Sequence, residues 1–507
     1  MKYLIGIDIG THSLRTCLFN INGEIIDKYD KNFPTNITNR NWIEQNPNDW
    51  IVALEETIIK LVKNNNNIVE NIKAISYGCT SCTVVTLDEN GEALRPAIMW
   101  LDERAWKQAE EITKTNHPVL KYSGNKESPQ WMLPKVMWLK KMEPLIYKKA
   151  KYIIEQTDFI THKLTGEYTI SKSNAAAKWH YTSLDGGFPN DLFKKLDIEE
   201  IVDKWPNRVL SVGEPISKIE NKFSKKTGLN PNTLVVQGGV DSHAGMVGVG
   251  AINDGNLALV IGTSSCHMAQ SSKPIYADVW GPYQEAIEKK YYTIGGGQST
   301  TGSIIDWLKQ KIFSDKISYE EIDKKIAKIP AGSEGLVALD YFQGNRTPYK
   351  DPFARGSIIG LSLKHKKEHI YRAFYEAVAY GTRLIIENLE NNNYLVNDIF
   401  ATGGGAKSKL WMQIHSDVSS KPIYLSKTDE ATALGAAIWA GLGSNIFDNY
   451  NDAINSMVYY KEKIEPNLIN TSIYDFYYNM YKTLYKNSKR LMHEIVNYEN
   501  KKNEEDA

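Results

Sequence analysis

One short pattern occurs twice in this chain, as Ile9-Gly10-Thr11-His12-Ser13 and as Ile261-Gly262-Thr263-Ser264-Ser265. Each copy follows an apolar run, at residues 3–9 and 257–261, and precedes another, at 14–19 and 266–270. Short apolar runs bounded by turn residues read as strands. Each copy therefore predicts a strand, a tight glycine turn and a returning strand. A supersecondary unit repeated at this distance constrains the fold to two related halves. The junction falls near residues 245–255, where glycines are dense and the chain is close to its midpoint. A chain of 507 residues exceeds one ordinary core in any case. We expect a first domain over 1–247, a second over 248–445, and an extension over 446–507 with a helix at 474–496 and a frayed polar end.

The first copy runs through Asn22-Gly23, a hairpin signal, into a third strand at 24–29, so the chain opens as an antiparallel meander. A helix is expected over 48–62, a buried strand at 72–77 and a helix-rich stretch over 103–164. Strands mixed with helices in this way place the chain in the α/β class.

A glycine in a strand-to-strand turn lets backbone N–H groups approach an anion, and hydroxyl side chains add donors. Two such turns, one from each half, suit the polyphosphate of a nucleotide held between them. The copies differ at one place: Asp8 in the first is matched by Val260 in the second. A lone carboxylate beside a phosphate site suits a Mg²⁺ ion bound through water; the alternative is a turn residue capping its own backbone. A third segment, Gln237-Gly238-Gly239-Val240-Asp241-Ser242-His243-Ala244-Gly245, follows a short strand at 234–236. There the glycines are expected to leave space for a substrate, and Asp241 is placed to accept a proton from an attacking hydroxyl or to cap the helix that follows. Further on, the strand 398–401, the turn Gly403-Gly404-Gly405 and a helix at 409–418 form a nucleotide-binding context. The small residues from Ala431 to Ala437 suggest close helix packing beside the nucleotide.

Composition narrows the partners. Lys plus Arg and Asp plus Glu both number 60, so no basic excess points to nucleic acid. Cys17, Cys79, Cys82 and Cys266 are too few and scattered for a disulfide framework, and Cys79/Cys82 has no second pair to complete a zinc site. Asp8 interrupts the opening apolar run, unlike a signal segment, and no run approaches the ~18 apolar residues of a membrane span. A cytoplasmic location is expected, and a homodimer is compatible with the sequence.

Taken together, these segments resemble the FGGY carbohydrate kinases, which share the actin-like, ribonuclease-H-like fold of two ATPase domains with a cleft between them. The resemblance covers roughly residues 3–443. It is carried by Gly6-Ile7-Asp8-Ile9-Gly10-Thr11, Met99-Trp100-Leu101-Asp102-Glu103-Arg104-Ala105, Lys135-Val136-Met137-Trp138-Leu139, Gly239-Val240-Asp241, Gly262-Thr263-Ser264, Asp351-Pro352 with Ala354-Arg355-Gly356-Ser357, and Gly403-Gly404-Gly405. It implies transfer of phosphate from Mg-ATP to a terminal sugar hydroxyl. By position Asp241 is then the general base and Asp8 the residue beside metal and substrate. Thr11, Ser13 and Arg15 make the first phosphate loop, and Gly262, Thr263 and Ser264 the second. Gly404, Gly405 and Ser408 fall where the adenosine is held, although many members carry Asn at the place of Ser408.

Within the family the sequence is most similar to the ribulokinase-like branch, through Gly262 to Met268, Lys178-Trp179 after Ala175-Ala176-Ala177, and Gly297-Gln298-Ser299 with Gly302. That likeness implies a pentulose such as ribulose, with Ser81, Asp102, Arg104, Lys178, Asp241 and Gln298 on the sugar. One departure is Gly295, where ribulokinases carry a sugar-binding Glu. Xylulose, glycerol and erythritol are the alternative substrates, and a non-kinase actin-like ATPase is the alternative class.

Overall fold

The computed structural model describes residues 1–38, 42–313 and 316–505. Tyr3–Ile9, Ser13–Asn20 and Ile25–Asn32 form the expected meander, each antiparallel to the next. Ile72–Cys79 lies parallel to Tyr3–Ile9, Leu234–Val236 parallel to Ile72–Cys79, and Pro215–Lys218 closes that edge antiparallel. The second half repeats this plan. Tyr292–Gln298, Ser265–Ser271, Asn256–Ile261, Asp398–Thr402, Ile423–Ser426 and Tyr460–Ile464 pair in the same order and the same relative directions. The repeat thus extends over six strands where the sequence signalled two. Trp280–Gln284 adds an outer strand to the second sheet.

Ile5, Ile7 and Ile9 are all fully buried, as the centre of a sheet covered by helices requires. One covering helix, Pro47–Asn64, starts at an Asn46 cap with Pro47 in its first turn. It buries Trp50, Leu54, Ile58 and Leu61, a stripe at helical spacing. The stretch 103–164 holds the strand Tyr152–Glu155 as well as helices; this strand pairs with Val84–Leu87 in a smaller sheet.

The residues after 445 do more than extend the chain. Tyr460–Ile464 is the edge strand of the second sheet, a role hidden in the sequence by its charged, solvent-facing side chains. The last helix, Leu468–Glu505, begins earlier and runs longer than the expected 474–496; residues 506–507 of the expected frayed end lie outside the described residues. Tyr474, Tyr478, Tyr481 and Tyr485 recur at helical spacing and are buried against the second domain. There the Tyr481 hydroxyl donates to Asp340 at 2.7 Å, and that of Tyr485 to Asp351 at 2.7 Å.

Two helices meet between the sheets. Asp241–Gly248 touches both sheets, and Ala431–Gly443 crosses it while lying on Tyr3–Ile9 and Ile72–Cys79. The backbones approach until no side chain fits: a Cβ on Gly435 would lie 1.8 Å from the Ala244 carbonyl oxygen, and one on Gly248 1.8 Å from that of Ala431. The small residues of 431–437 serve this crossing, which is the close helix packing expected of them. Among the described residues no helix is long and apolar enough to cross a membrane.

His267 is buried in the second sheet, where its Nε2 lies 3.0 Å from the Thr382 hydroxyl. Burial, reinforced by the neighbouring His415, pushes its pKa down to about 3. The unfolded chain therefore binds a proton that the native state refuses between about pH 6.5 and 3, and stability falls as pH falls through that window. Relative to His267→Gln, the wild type should lose about 1.4 kcal/mol per pH unit there. Parallel stability curves for the two proteins in denaturant titrations at pH 7, 6 and 5 would count against a neutral His267.

Candidate active site

Three strand ends converge on one point of the first sheet. Asp8 pairs with Arg15 on one side and Gly78 on the other, and Gly239-Val240 pairs with Gly78-Cys79. Open α/β sheets bind ligands beyond such carboxyl ends. Gly238 and Gly239 bring this segment against its neighbours: a Cβ would lie 2.1 Å from the Tyr77 carbonyl oxygen or 2.6 Å from Val212. The space expected for a substrate at these glycines is thus taken by Tyr77, Val212 and Ser173, and the open space lies beyond Asp241.

That space is a cleft of about 1020 Å³ between the two halves. Thr11, Ser81, Lys178 and Asp241 line it from the first half, and Gly262, Thr263 and Ser264 from the second. The two glycine turns face each other as the repeat predicted, each closed by a glycine N–H on a carbonyl at 2.9 Å, Gly10 to Ser13 and Gly262 to Ser264. The Trp100 indole donates to the Thr11 hydroxyl at 3.0 Å.

Asp241 is the first residue of its helix, not the cap, and its Oδ1 accepts the Ser242 N–H at 2.6 Å. Burial, reinforced by the Asp8 charge, pushes its pKa up to about 7. Asp8 is raised to about 6 by burial, with Arg15 opposing and Glu430 adding to the rise. Two neighbouring carboxylates that both resist ionisation suit a cation between them. Among the described residues no group of three or more His, Cys, Asp or Glu is arranged as a metal site. The donor set therefore fits an ion that keeps its water and phosphate ligands, as Mg²⁺ does, and does not fit an all-protein cage.

Arg15 does not point freely at the cleft. Its Nη1 donates to Glu430 at 2.6 Å, and the other Glu430 oxygen accepts Lys28 at 2.8 Å. Ser13 sits on the same strand, with its carbonyl closing the first turn. Gly403 and Gly405 pack against Ile261, the residue before the second turn; a Cβ on either would come within 2.5 Å of it. Gly404 is exposed and meets nothing within 4 Å. Ser408 caps the helix Lys409–Ser419 and donates to Asp323 at 2.6 Å.

Three expected sugar contacts lie behind the wall. Asp102 and Arg104 are fully buried and hold each other: Oδ2 takes Nη2 at 2.7 Å and Oδ1 takes Nε at 2.8 Å. The Arg104 guanidinium lies 4.3 and 5.0 Å from the ring centres of Trp42 and Trp138, two rings set edge to face. Burial alone would raise the Asp102 pKa, but Arg104 and two backbone donors bring it below the ordinary range. This pair fixes the loop whose Trp100 and Glu103 do face the cleft. Gln298 is buried in the second domain, where its amide bonds Asp340 at 2.9 Å, the Val378 carbonyl at 3.0 Å and Thr382 at 3.2 Å.

Trp131, Trp280 and Tyr283 carry no signal in the sequence, and Lys135 has a role that its motif does not reveal. Lys135 is buried, and its ammonium donates to the carbonyls of Cys82 and Met99 at 2.8 and 2.7 Å, tying the Ser81 loop to the Trp100 loop. Trp131, Trp280 and Tyr283 surround the Lys178 ammonium, with ring centres at 4.3, 5.4 and 5.2 Å. Lys178 itself donates to the Tyr283 hydroxyl at 2.9 Å. Trp280 and Tyr283 share one strand and Trp131 lies about 150 residues earlier, so only the fold assembles the three. His243, beside Asp241, bonds Ser173 at 2.7 Å, and burial pushes its pKa down to about 3.

The whole chain is similar to known sugar kinases. Residues 3–248 match the FGGY family of carbohydrate kinases, N-terminal domain, and residues 257–444 match its C-terminal domain. Ribulokinase from Staphylococcus aureus (strain Newman) is 31% identical, over 96% of this chain and 96% of that protein. Among solved structures, xylulose kinase from Rhodospirillum rubrum superposes with a TM-score of 0.88 at 25% identity, over 97% of this chain and 100% of that one. Gluconate kinase from Lactobacillus acidophilus gives 0.88 at 24% identity, over 96% and 98%.

Proposed function

The chain belongs to the FGGY family of carbohydrate kinases, and from that premise we propose that it moves the γ-phosphoryl group of ATP to a terminal hydroxyl of a pentulose such as ribulose. The observation that carries this reading is Asp241, a half-buried carboxylate at the cleft between two glycine turns. Its pKa of about 7 suits a group that must take a proton near neutrality. The sugar hydroxyl oxygen attacks phosphorus, its proton passes to Asp241, and ADP leaves. The N–H groups and hydroxyls of Thr11, Thr263 and Ser264 hold the phosphates. Asp8 would hold a Mg²⁺ ion through water, and that ion supplies charge neutralisation at the phosphates. Lys178, held by its three aromatic rings, is positioned to donate to a sugar oxygen, and Ser81 to bond another. Asp102, Arg104 and Gln298 act from behind the wall, by holding in place the groups that touch substrate. We read the protein as cytoplasmic.

A coupled ADP-release assay over pentuloses, hexuloses and polyols tests the assignment. Turnover is expected with a pentulose, and no turnover with any ketose would overturn it.

We place the adenosine over Gly404, the exposed glycine at the end of Asp398–Thr402. Gly404→Val should leave the melting temperature unchanged, because a Cβ there meets nothing within 4 Å. It should raise the KM for ATP about tenfold by occupying nucleotide space, roughly the 1.4 kcal/mol of one lost or clashing contact. An unchanged KM would remove Gly404 from the nucleotide site.

A further inference from the structure

Between the strands Val337–Leu339 and Ser357–Ile359 the chain has no helix or strand, yet it supplies part of the cleft wall. Asn345, Arg346, Thr347, Lys350 and Pro352 line the cleft there. Two backbone bonds of 2.8 Å between Asn345 and Asp351 pinch this stretch into a closed loop. The Arg346 guanidinium lies 5.7 Å from the centre of the Trp280 ring, and among the described residues it meets no hydrogen-bond acceptor. Its N–H donors are thus open to a ligand. Arg346, Lys178 and Asp241 all act electrostatically on the Cys266 thiol, so the three are grouped around one part of the cleft.

The loop is gripped from behind by the terminal helix Leu468–Glu505, which lies beyond the family-matched residues 257–444. Asp351 is buried, and the Tyr485 hydroxyl donates to its Oδ2 at 2.7 Å. His493 Nε2 spans both carboxylate oxygens, at 2.9 and 2.8 Å, and the Phe353 N–H adds a bond to Oδ1 at 3.0 Å. Burial alone would raise the Asp351 pKa, but His493, Tyr485 and Phe353 bring it below the ordinary range. An ionised carboxylate has only acceptors, so the imidazole nitrogen must donate to it. The Tyr485 ring also stacks on Tyr349 of the loop, with centres 4.4 Å apart. A stretch with no ladder of its own is costly in entropy to hold still, and bonds to an ionised acceptor are the stronger kind.

We propose that Tyr485 and His493 are positioning residues for the phosphoryl transfer: through Asp351 they fix the loop that carries Arg346, and so hold its guanidinium against the oxygens of the bound sugar. This rests on the kinase reading above and adds to it a role in the reaction for the terminal helix. Neither residue lines the cleft, so neither acts on the substrate directly. A misplacement of about 1 Å in a group that orients substrate costs on the order of 10²-fold in rate. The phosphates are held by other turns, so the effect falls on the sugar.

The test uses the full chain, with ADP release on ribulose and xylulose and thermal melts as readouts. Tyr485→Phe combined with His493→Leu should lower kcat/KM for the sugar at least about tenfold, while KM for ATP stays within about twofold. His493→Gln, whose amide can still donate to Asp351, should restore most of what His493→Leu loses. Arg346→Gln should itself lower kcat/KM for the sugar, and adding the double variant should lower it by less than about threefold more, because the ties act through Arg346. Tyr474→Phe is the control: it removes a hydroxyl of the same helix that lies between Arg372 and Glu376, at 2.7 and 3.1 Å. It should lower Tm and leave the sugar kinetics alone. Sugar kcat/KM within about twofold of wild type in the double variant overturns the inference and leaves the kinase reading standing. A loss shared equally by sugar and ATP, matched by Tyr474→Phe, or adding in full to Arg346→Gln does the same, since each marks mere support of the fold. Should the double variant melt below the assay temperature, the two single substitutions are read in the same way. A wild-type chain that phosphorylates no sugar overturns the kinase reading, and this role with it.

Discussion

Asp241→Asn is expected to lower kcat by about three orders of magnitude while ATP still binds, since a positioned general base contributes roughly 10²–10⁴-fold. The substitution is nearly isosteric. The amide oxygen can still accept the Ser242 N–H that Asp241 now takes at 2.6 Å, so the helix start is preserved. What is lost is the proton acceptor. An amide cannot take the hydroxyl proton, and no histidine replaces it: His243, two residues on, bonds Ser173, and burial holds it neutral with a pKa near 3. Calorimetric ATP titration and ADP release with saturating sugar separate the two effects. Sugar-dependent ADP release within tenfold of wild type would remove Asp241 from catalysis, and loss of ATP binding would point to a disturbed fold.

The second large effect is on stability. Gly435→Ala should destabilise the protein by about 3 kcal/mol or more, lowering Tm by on the order of 10 °C. In an exposed helix the same change stabilises by about 1 kcal/mol, so the sign itself is informative. Here the new methyl group would sit 1.8 Å from the Ala244 carbonyl oxygen. That oxygen belongs to helix backbone and cannot turn away like a flexible side chain. The helices must separate, which unpacks the buried cluster of Leu434, Ala437, Met246 and Val247 around them. Gly404→Val, with open space around it, is the control in the same thermal melts. A Gly435→Ala protein as stable as wild type would mean that the two backbones are not in contact.

The parts of the fold that were legible in the sequence had local signals. The two glycine turns and the Asn22-Gly23 hairpin each announce themselves within a few residues. The strand Tyr460–Ile464 did not, because an edge strand with solvent-facing Lys461 and Lys463 lacks an apolar run. In the site, residues on turns lay close to where their motifs placed them, as Asp241, Thr11 and Gly262 to Ser264 show. Residues read by proximity in the sequence were less faithful. Asp102 and Arg104 sit either side of Glu103, and alternation along the loop turns them inward and Glu103 outward. Trp131 and the strand that carries both Trp280 and Tyr283 lie far apart in the chain, and no periodicity links them.

The helix crossing also bears on where movement is felt. In any rotation about a pivot, displacement grows with distance from the axis. Were the two halves to swing about the contact of Gly248 with Ala431 and Gly435 with Ala244, the outer lobes would travel far and the helices themselves little. Asp241 opens one of those helices, and Thr432, in the first turn of the other, lines the cleft. The proton acceptor would thus stay near the axle while the nucleotide and sugar walls open and close around it.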